Sequence, residues 1–182
     1  MSAMPRIAPG AGLRDVGPFA WGVGRMAGRV AGTNPPNLFM TLGRHPKLFR
    51  GWLRFAGRLM PGGVLPRRET ELVILRVAHL RDCTYEFDHH VRLARRAGVG
   101  AADVERVRVG PEADGWAPRE RLLLTATDEL HTDGDVSDPT WESLRGLLGE
   151  RELIELVFLV GHYEMLATAL YTLRVEPDRG RR

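Results

Sequence analysis

The pattern of apolar and polar positions predicts a chain built from amphipathic helices. From residue 37 onward, apolar side chains recur at spacings of three and four, which is the period of an α-helix. Alternation with a period of two and a repeat of the solenoid kind are both absent from the sequence. Helices are predicted over 37–59, with a break near Pro46, and over 67–81, 83–97, 101–107, 119–131, 138–149 and 151–173. The predicted fold class is therefore all-α.

The segment 67–81 is apolar on nearly every side, as expected for a helix at the centre of a bundle. Asp82 is a plausible N-cap for the helix that follows, and Gly98 is a typical residue at the end of that helix. If the chain reverses at Arg81 and Asp82, the two helices form a hairpin. We therefore expect a single-domain helical bundle with a central antiparallel helical hairpin.

The two ends of the chain differ in composition from its centre. Residues 1–34 are rich in glycine and have few periodic apolar positions, so they are predicted to form an N-terminal arm with a short helix near 19–30. Residues 35–176 are predicted to form the helical domain, and residues 177–182 a basic C-terminal tail.

Composition narrows the possible partners. The 182 residues include 26 Lys and Arg against 23 Asp and Glu, so the net charge of +3 is weak evidence for nucleic acid, and no nucleic-acid partner is expected. The longest apolar stretch, 153–160, is shorter than the roughly 20 residues that span a bilayer. No secretory signal is visible, and the lone Cys83 cannot form an internal disulfide. We expect a cytoplasmic protein without a membrane segment.

The last predicted helix, 151–173, carries more apolar surface than is needed to pack one side of it against the rest of the bundle. Part of this surface is predicted to pack against another copy of the chain. We therefore expect self-association.

Candidate chemistry is concentrated in the segment 71–90. Cys83 is predicted to lie in the first turn of a helix, where unpaired backbone amides and the helix dipole favour a thiolate. Glu86 and His90 are four residues apart and Cys83 precedes Glu86 by three, so these side chains share one helix face. Across the predicted hairpin, Glu71 and His90 lie roughly 15 and 12 Å from the turn, almost level with each other. A carboxylate that orients an imidazole is suited to proton transfer.

Each of these residues also has a purely structural interpretation. A lone cysteine is often an inert core residue, and Glu71 could be an exposed carboxylate near a helix start. His79 and His89 are interpreted as structural. The Glu86 and His89 spacing matches one half of a di-iron site, but the second half is missing, so neither metal nor another cofactor is expected. His162 interrupts an apolar helix, which leaves a substrate-facing role or a buried hydrogen bond as alternatives.

The residues Glu71, Cys83, Tyr85, Glu86 and His90 together resemble the signature of the carboxymuconolactone decarboxylase and alkylhydroperoxidase (AhpD-like) superfamily. The resemblance implies an all-helical oligomer, with a trimer, hexamer or dimer as the expected assembly. It also implies the catalytic set Glu71, Cys83, Glu86 and His90, a small-molecule substrate, and Tyr85 and His162 as candidate substrate-binding residues.

The chain departs from the peroxidase branch of that superfamily at two positions. Glu86 stands where the branch has its second cysteine, and Tyr85 stands where it has a histidine between the cysteines. A lone thiol cannot resolve a sulfenic acid internally. The decarboxylase branch instead carries a Glu and a His at the spacing of Glu86 and His90.

Three functional hypotheses remain open on the sequence. The first is a cofactor-free enzyme that moves a proton on a small carbonyl, lactone or carboxylate substrate through His90 and a glutamate. The second is a single-cysteine alkylhydroperoxidase-like antioxidant, with peroxiredoxin activity, or a redox-responsive protein that uses Cys83. The third is a non-catalytic binding or assembly protein.

Overall fold

The regular secondary structure of the described part of the chain consists of helices joined by loops, apart from one isolated β-bridge between Thr33 and Gly180. The structure is a computed structural model, and it describes residues 4–178 and residue 180. Its helices are α1 (Leu13–Ala31), α2 (Asn37–Leu42), α3 (Pro46–Leu59), α4 (Arg67–Leu80), α5 (Thr84–Arg96), α6 (Ala101–Val109), α7 (Pro118–Asp133), α8 (Asp138–Arg145) and α9 (Glu150–Leu173). The predicted all-α class is confirmed.

Two compact units divide the described residues. One contains the residues up to Ala56 together with those from Thr168 onward, and the other contains Gly57–Ala167. This grouping differs from the predicted arm, domain and tail. Of the predicted tail, residues 179, 181 and 182 lie outside the described residues, as do residues 1–3 of the predicted arm.

Helix α4 is the centre of the Gly57–Ala167 unit. It packs against α5, α6 and α7, which explains why every residue from Thr70 to Ala78 is buried. The apolar core of this unit is formed by residues of α4 to α7 and their connections, namely Leu72, Leu75, Ala78, Phe87, Ala94, Val99, Val104, Val107, Ala113, Trp116 and Leu124. A helix apolar on nearly every side requires partners on nearly every side, as the sequence pattern predicts.

The buried cation of this core is fully paired. Arg76 binds both carboxylate oxygens of Asp128, at 2.6 and 2.7 Å, and donates to the carbonyl of Val107 at 2.8 Å. A bidentate arginine and carboxylate pair with further hydrogen bonds offsets the cost of burying the charge. This pair joins α4 to α7 and to the end of α6.

The other unit contains the helix predicted within the N-terminal arm. Helix α1 runs over Leu13–Ala31 and is kinked at Gly17, which has φ of 76°, and the part after the kink coincides with the short helix predicted near 19–30. Its apolar face, including Val16 and Ala20, packs with Met40 and Phe49. A side chain at Gly28 would lie 2.7 Å from the carbonyl oxygen of Asn34, so this glycine permits close packing of the following loop. At Gly28, therefore, the glycine reflects close packing of two backbone segments.

Helix α9 is long and apolar enough to cross a bilayer by length and composition alone, a test that buried helices of soluble proteins also pass. Within its most apolar stretch, 56% of the residues are buried. Large apolar side chains nevertheless remain exposed along this helix, among them Ile154, Val157 and Phe158.

Candidate active site

The Glu71 carboxylate is buried between an arginine and a histidine. Glu71 lies one turn into α4, has 0% exposed surface, and accepts a hydrogen bond from Arg67 at 2.6 Å through Oε1. Its other oxygen, Oε2, lies 2.7 Å from Nδ1 of His90 on α5. We assign the proton to Nδ1 because the carboxylate is the acceptor, which leaves Nε2 of His90 as the basic nitrogen. Glu71 and His90 therefore lie in contact in the structure, as the sequence predicts.

The connection between α4 and α5 differs from the predicted one. Asp82 adopts a left-handed backbone with φ of 49°, and Cys83, not Asp82, is the N-cap residue of α5. The amide of Cys83 donates to the carbonyl of Ala78 at 2.8 Å, so the end of α4 closes before α5 begins. Cys83 therefore precedes the first helical turn instead of lying within it.

The Cys83 side chain is not activated by its position. Burial and the negative charge of Glu86 raise the pKa of the Cys83 thiol to about 12, although the backbone amide of Glu86 acts in the opposite direction. The sequence-based expectation of a favoured thiolate is wrong, because local helix-start effects are smaller here than desolvation and a nearby carboxylate. At neutral pH the sulfur is a protonated thiol.

Glu86 is buried with an unusual lack of partners. It has 3% exposed surface, and neither carboxylate oxygen has a regular hydrogen bond with the described residues. Burial raises the pKa of its carboxyl to about 8, and a weak interaction with the thiol of Cys83 reduces that shift, whereas the charge of Glu164 increases it. Glu86 is therefore mostly a neutral acid at pH 7 and can donate a proton.

Two aromatic residues of α9 complete the surroundings of His90. The Tyr163 ring is perpendicular to His90, with 5.2 Å between the centroids, and its hydroxyl lies 3.8 Å from the sulfur of Met60. Burial first, and then the charges of Glu86 and Glu71, raise the pKa of the Tyr163 hydroxyl. His162 is buried next to Tyr163, and burial lowers its pKa to about 4, with a further contribution from His90. His162 therefore carries no charge at neutral pH.

Cys83 faces a small cavity of about 150 Å³ at the junction of α4 and α5. Its walls include His79 and Arg108, and the Arg108 guanidinium lies 4.3 Å from the centroid of the Phe87 ring. Glu71 and His90 do not line this cavity. The thiol and the Glu71 and His90 pair are thus presented to different surroundings.

The predicted site residues fall into two groups. The first group is buried in the interior and consists of Glu71, Glu86, His90 and His162. The Tyr163 ring contacts the rings of His90 and His162, and the charges of Glu86 and Glu71 act on its hydroxyl. Tyr85 is only half-buried on α5 and does not line the cavity beside Cys83.

Arg67 and Tyr163 also contribute to the site but were not among the predicted site residues, although the sequence contains a signal for each. Arg67 stands four residues before Glu71, which is the spacing of a helical ion pair, and it holds the carboxylate. Tyr163 follows His162 in the same interruption of the apolar helix. Among the described residues, no group of three or more His, Cys, Asp or Glu side chains is arranged to hold a metal ion.

Comparisons with known proteins agree with this architecture. Residues 46–129 match the carboxymuconolactone decarboxylase family. An uncharacterized peroxidase-related protein with an alkylhydroperoxidase AhpD core, from Ralstonia eutropha JMP134, has 21% identity and a TM-score of 0.82, covering 96% of this chain and 94% of that chain. A peroxidase-related protein from Silicibacter sp. TM1040 has 15% identity and a TM-score of 0.82, covering 97% and 95%.

A third similar structure is a cysteine-to-alanine variant of the debrominase Bmp8 in complex with 2,3,4-tribromopyrrole. It has 17% identity and a TM-score of 0.81, and the alignment covers 97% of this chain and 93% of that chain. At these identities the likeness concerns the fold. No curated protein matches the sequence significantly.

The charge of Glu86 is predicted to suppress thiolate formation at Cys83. In Glu86→Gln the pKa of the thiol should fall below about 12, because the second largest cause of its elevation is removed, and it should stay above that of an exposed cysteine because burial remains. Because Cys83 is the only cysteine, the pH-dependent ultraviolet absorbance of the protein minus that of Cys83→Ser reports on this thiol, since the subtraction removes the contribution of the three tyrosines. Glu142→Gln, at an exposed glutamate, is the matched control. An unchanged thiol pKa in Glu86→Gln would contradict the assigned cause.

Glu86 is also predicted to make the folded state less stable as pH rises. Its pKa is 4.5 when unperturbed and about 8 in the fold, so between these values the folded chain binds more protons than the unfolded chain. Raising the pH through this window should lower the free energy of unfolding by up to about 1.4 kcal/mol per pH unit relative to Glu86→Gln, and the difference should level off above pH 8. Urea unfolding at a series of pH values measures it, and parallel curves for the two proteins would show that the Glu86 pKa is not raised.

Proposed function

We propose, on the premise that this chain belongs to the carboxymuconolactone decarboxylase and alkylhydroperoxidase (AhpD-like) superfamily, that it is a cofactor-free proton-transfer enzyme. Its substrate in this proposal is a small carbonyl, lactone or carboxylate compound. His90 is the base, Glu71 orients it, and Glu86 is the acid.

The observation that carries the proposal is the buried Glu71 and His90 pair, with 2.7 Å between Oε2 and Nδ1. A carboxylate on Nδ1 fixes the tautomer of the imidazole and stabilises the imidazolium that forms when Nε2 accepts a proton. Arg67 holds the second oxygen of Glu71 at 2.6 Å, so the carboxylate cannot rotate away from His90. Arg67 is therefore a positioning residue.

The reaction step uses two groups on one face of α5. Nε2 of His90 takes the proton from a carbon next to a carbonyl, and the electron pair of the C–H bond moves into the carbonyl. Glu86, protonated at neutral pH because burial raises its pKa to about 8, donates its proton to the carbonyl oxygen, which gives an enol. When the substrate instead carries a carboxylate on that carbon, the C–C bond to the carboxylate breaks, carbon dioxide leaves, the electron pair of the bond moves into the carbonyl, and Glu86 protonates the carbonyl oxygen to give the same kind of enol.

The surroundings of the pair favour this chemistry. Glu71 and His90 are 0% and 5% exposed, and the Tyr163 ring covers one side of the imidazole. Exclusion of water strengthens the interaction between the imidazolium and the carboxylate. The titration of Glu86 near 8 lies close to the optimum for acid catalysis at neutral pH.

The proposal extends to assembly and location. We take α4 and α5 as the central antiparallel hairpin of a homo-oligomer, a trimer, hexamer or dimer, in the cytoplasm. The exposed apolar side chains Ile154, Val157 and Phe158 on α9 support a packing surface for a second copy. Tyr85 and His162 stay candidates for substrate contact, His162 because of its place beside Tyr163.

A thiol-dependent peroxidase is the second candidate function. It is favoured by the cavity beside Cys83, which brings the sulfur to the edge of a space of about 150 Å³. It is opposed by the pKa of the thiol, raised to about 12 by burial and by Glu86, because the attacking species in peroxide reduction is the thiolate. A small external thiol would also be needed to resolve the sulfenic acid.

His90→Gln is predicted to abolish most of the proton-transfer activity. The loss should be roughly 100-fold or more, because a general base contributes at least that much, whereas Cys83→Ser should keep most of the activity. The measurement is deuterium uptake from heavy water by NMR, together with release of carbon dioxide, over small ketones, lactones, keto acids and halogenated pyrroles. The pyrroles are included because of the ligand in the Bmp8 structure.

A matched control for this experiment is available within the chain. His45 is exposed and takes no part in the proposed reaction. His45→Gln should therefore leave turnover nearly unchanged. Equal losses in His90→Gln and Cys83→Ser would contradict the proposal, and complete inactivity of the unaltered protein over the whole set would favour a binding or assembly protein.

Peroxide treatment is predicted to leave Cys83 largely unmodified at neutral pH. The protonated and buried thiol should react no faster than free cysteine at neutral pH. Glu86→Gln should increase the rate only above about pH 8, where Glu86 is ionised and its charge opposes formation of the thiolate. Mass spectrometry after brief exposure to hydrogen peroxide, with dimedone to trap sulfenic acid, measures this rate. Rapid labelling of the unaltered protein would favour the peroxidase over the proton-transfer enzyme.

A further inference from the structure

A second cavity lies at the C-terminal half of α1, and its lining residues are separate from those of the candidate active site. It has a volume of about 210 Å³ and is lined by Trp21, Arg25, Arg29, Thr33, Asn34 and Pro35. Its residues all belong to the unit that contains α1. Neither the proposed reaction nor the candidate substrate-binding residues involve this space.

Arg25 and Arg29 project into this cavity from one helix face, since they stand four residues apart on α1. Within the described part of the chain, neither guanidinium has a carboxylate within ion-pair distance. Other arginines of this protein are paired: Arg68 binds Asp103 and Glu120, and Arg119 binds Glu69 and Glu152. Two like charges at this spacing repel each other in the absence of an anion.

The wall opposite the arginines is held close to α1. Gly32 ends the helix with φ of 71°, and the amide of Thr33 donates to the carbonyl of Gly28 at 2.9 Å. A Cβ at Gly28 would lie only 2.7 Å from the carbonyl oxygen of Asn34, so only glycine admits this loop. The Thr33 and Gly180 bridge holds the same loop from the other side. The cavity is thus shaped by backbone contacts.

An aromatic ring provides the remaining wall. Trp21 is half-buried against the core cluster of Val16, Ala20, Met40 and Phe49, which fixes its position. The Arg25 guanidinium lies 5.9 Å from the centroid of the Trp21 ring, within the range of a cation–π contact. This contact places the exposed Arg25 guanidinium beside the ring that lines the cavity.

We propose that this cavity binds the phosphate group of a small phosphorylated ligand, with Arg25 and Arg29 on the phosphate and Trp21 against its organic part. Two guanidiniums that form no ion pair with the described residues match the charge of a phosphomonoester, which approaches −2 at pH 7, better than that of a single carboxylate. Asn34 also lines the cavity, and an asparagine side chain carries an amide donor. The volume suits a compact metabolite and is smaller than typical sites for drug-sized ligands, which begin at about 300 Å³.

The test is isothermal titration calorimetry of the full chain with three probes: phenyl phosphate, inorganic phosphate and benzoate. Phenyl phosphate should bind most tightly because it has both the dianion and the ring, and benzoate should bind weakest. Arg25→Gln and Arg29→Gln should each weaken phenyl phosphate binding roughly tenfold or more, as expected for loss of a charge-assisted hydrogen bond. Trp21→Phe should reduce the preference for phenyl phosphate over inorganic phosphate.

Arg54→Gln is the matched control, because Arg54 is exposed on α3, lies outside the cavity and removes the same charge. Its binding should equal that of the unaltered protein. Equal weakening by Arg54→Gln would show non-specific attraction of anions and overturn the proposal, as would the absence of phenyl phosphate binding at millimolar concentration. Arg25→Lys provides a second variant if Arg25→Gln fails to fold: it keeps the charge, and retained full affinity in Arg25→Lys would argue against a guanidinium-specific contact.

Discussion

The Glu71 carboxylate is the constraint on which the rest of the site depends. A carboxylate with no exposed surface is expensive to bury unless both of its oxygens are bound by cationic or donor groups. Arg67 provides one partner from the same helix, and His90 provides the other from α5. Because the second partner comes from another helix, the hydrogen bond between His90 and Glu71 constrains the register between α4 and α5. The geometry of the candidate base is thus a consequence of the folding of α4.

Burial acts differently on the groups near that pair. It raises the pKa of Glu86 to about 8 and that of Cys83 to about 12, and it lowers the pKa of His162 to about 4. Each of these groups is thereby held in its neutral form at pH 7. In this interior one carboxylate, Glu71, is stabilised by the cation of Arg67 and a hydrogen bond from His90, whereas Glu86, Cys83 and His162 are uncharged. The absence of a thiolate at Cys83 supports the proposed proton transfer over attack by an anionic sulfur.

The sequence was sufficient for those parts of the site that depend on helical spacing. The approach of Glu71 and His90 followed from their nearly equal distances from the turn, and the central position of α4 followed from its apolar residues on every side. The state of Cys83 could not be predicted in the same way, because a helix start is a local feature whereas the pKa of the thiol depends on burial by the folded chain. The glycines of α1 were misjudged for a related reason: glycine content does not distinguish a loose segment from one, such as Gly28 beside Asn34, where backbones must touch.

Glu86 bears both on the proposed chemistry of the Glu71 and His90 pair and on the low reactivity expected of the Cys83 thiol. In the peroxidase pattern that this sequence resembles, the position of Glu86 holds a second cysteine, which would resolve the oxidised first one. A carboxyl at that position removes the resolving thiol, and its negative charge also raises the pKa of Cys83. The same side chain, neutral at pH 7 and four residues before His90 on α5, places a proton donor near the candidate base. Glu86 therefore has two effects. It takes the place of a resolving thiol and disfavours the Cys83 thiolate, and it provides the proton donor that the proposed acid and base chemistry requires.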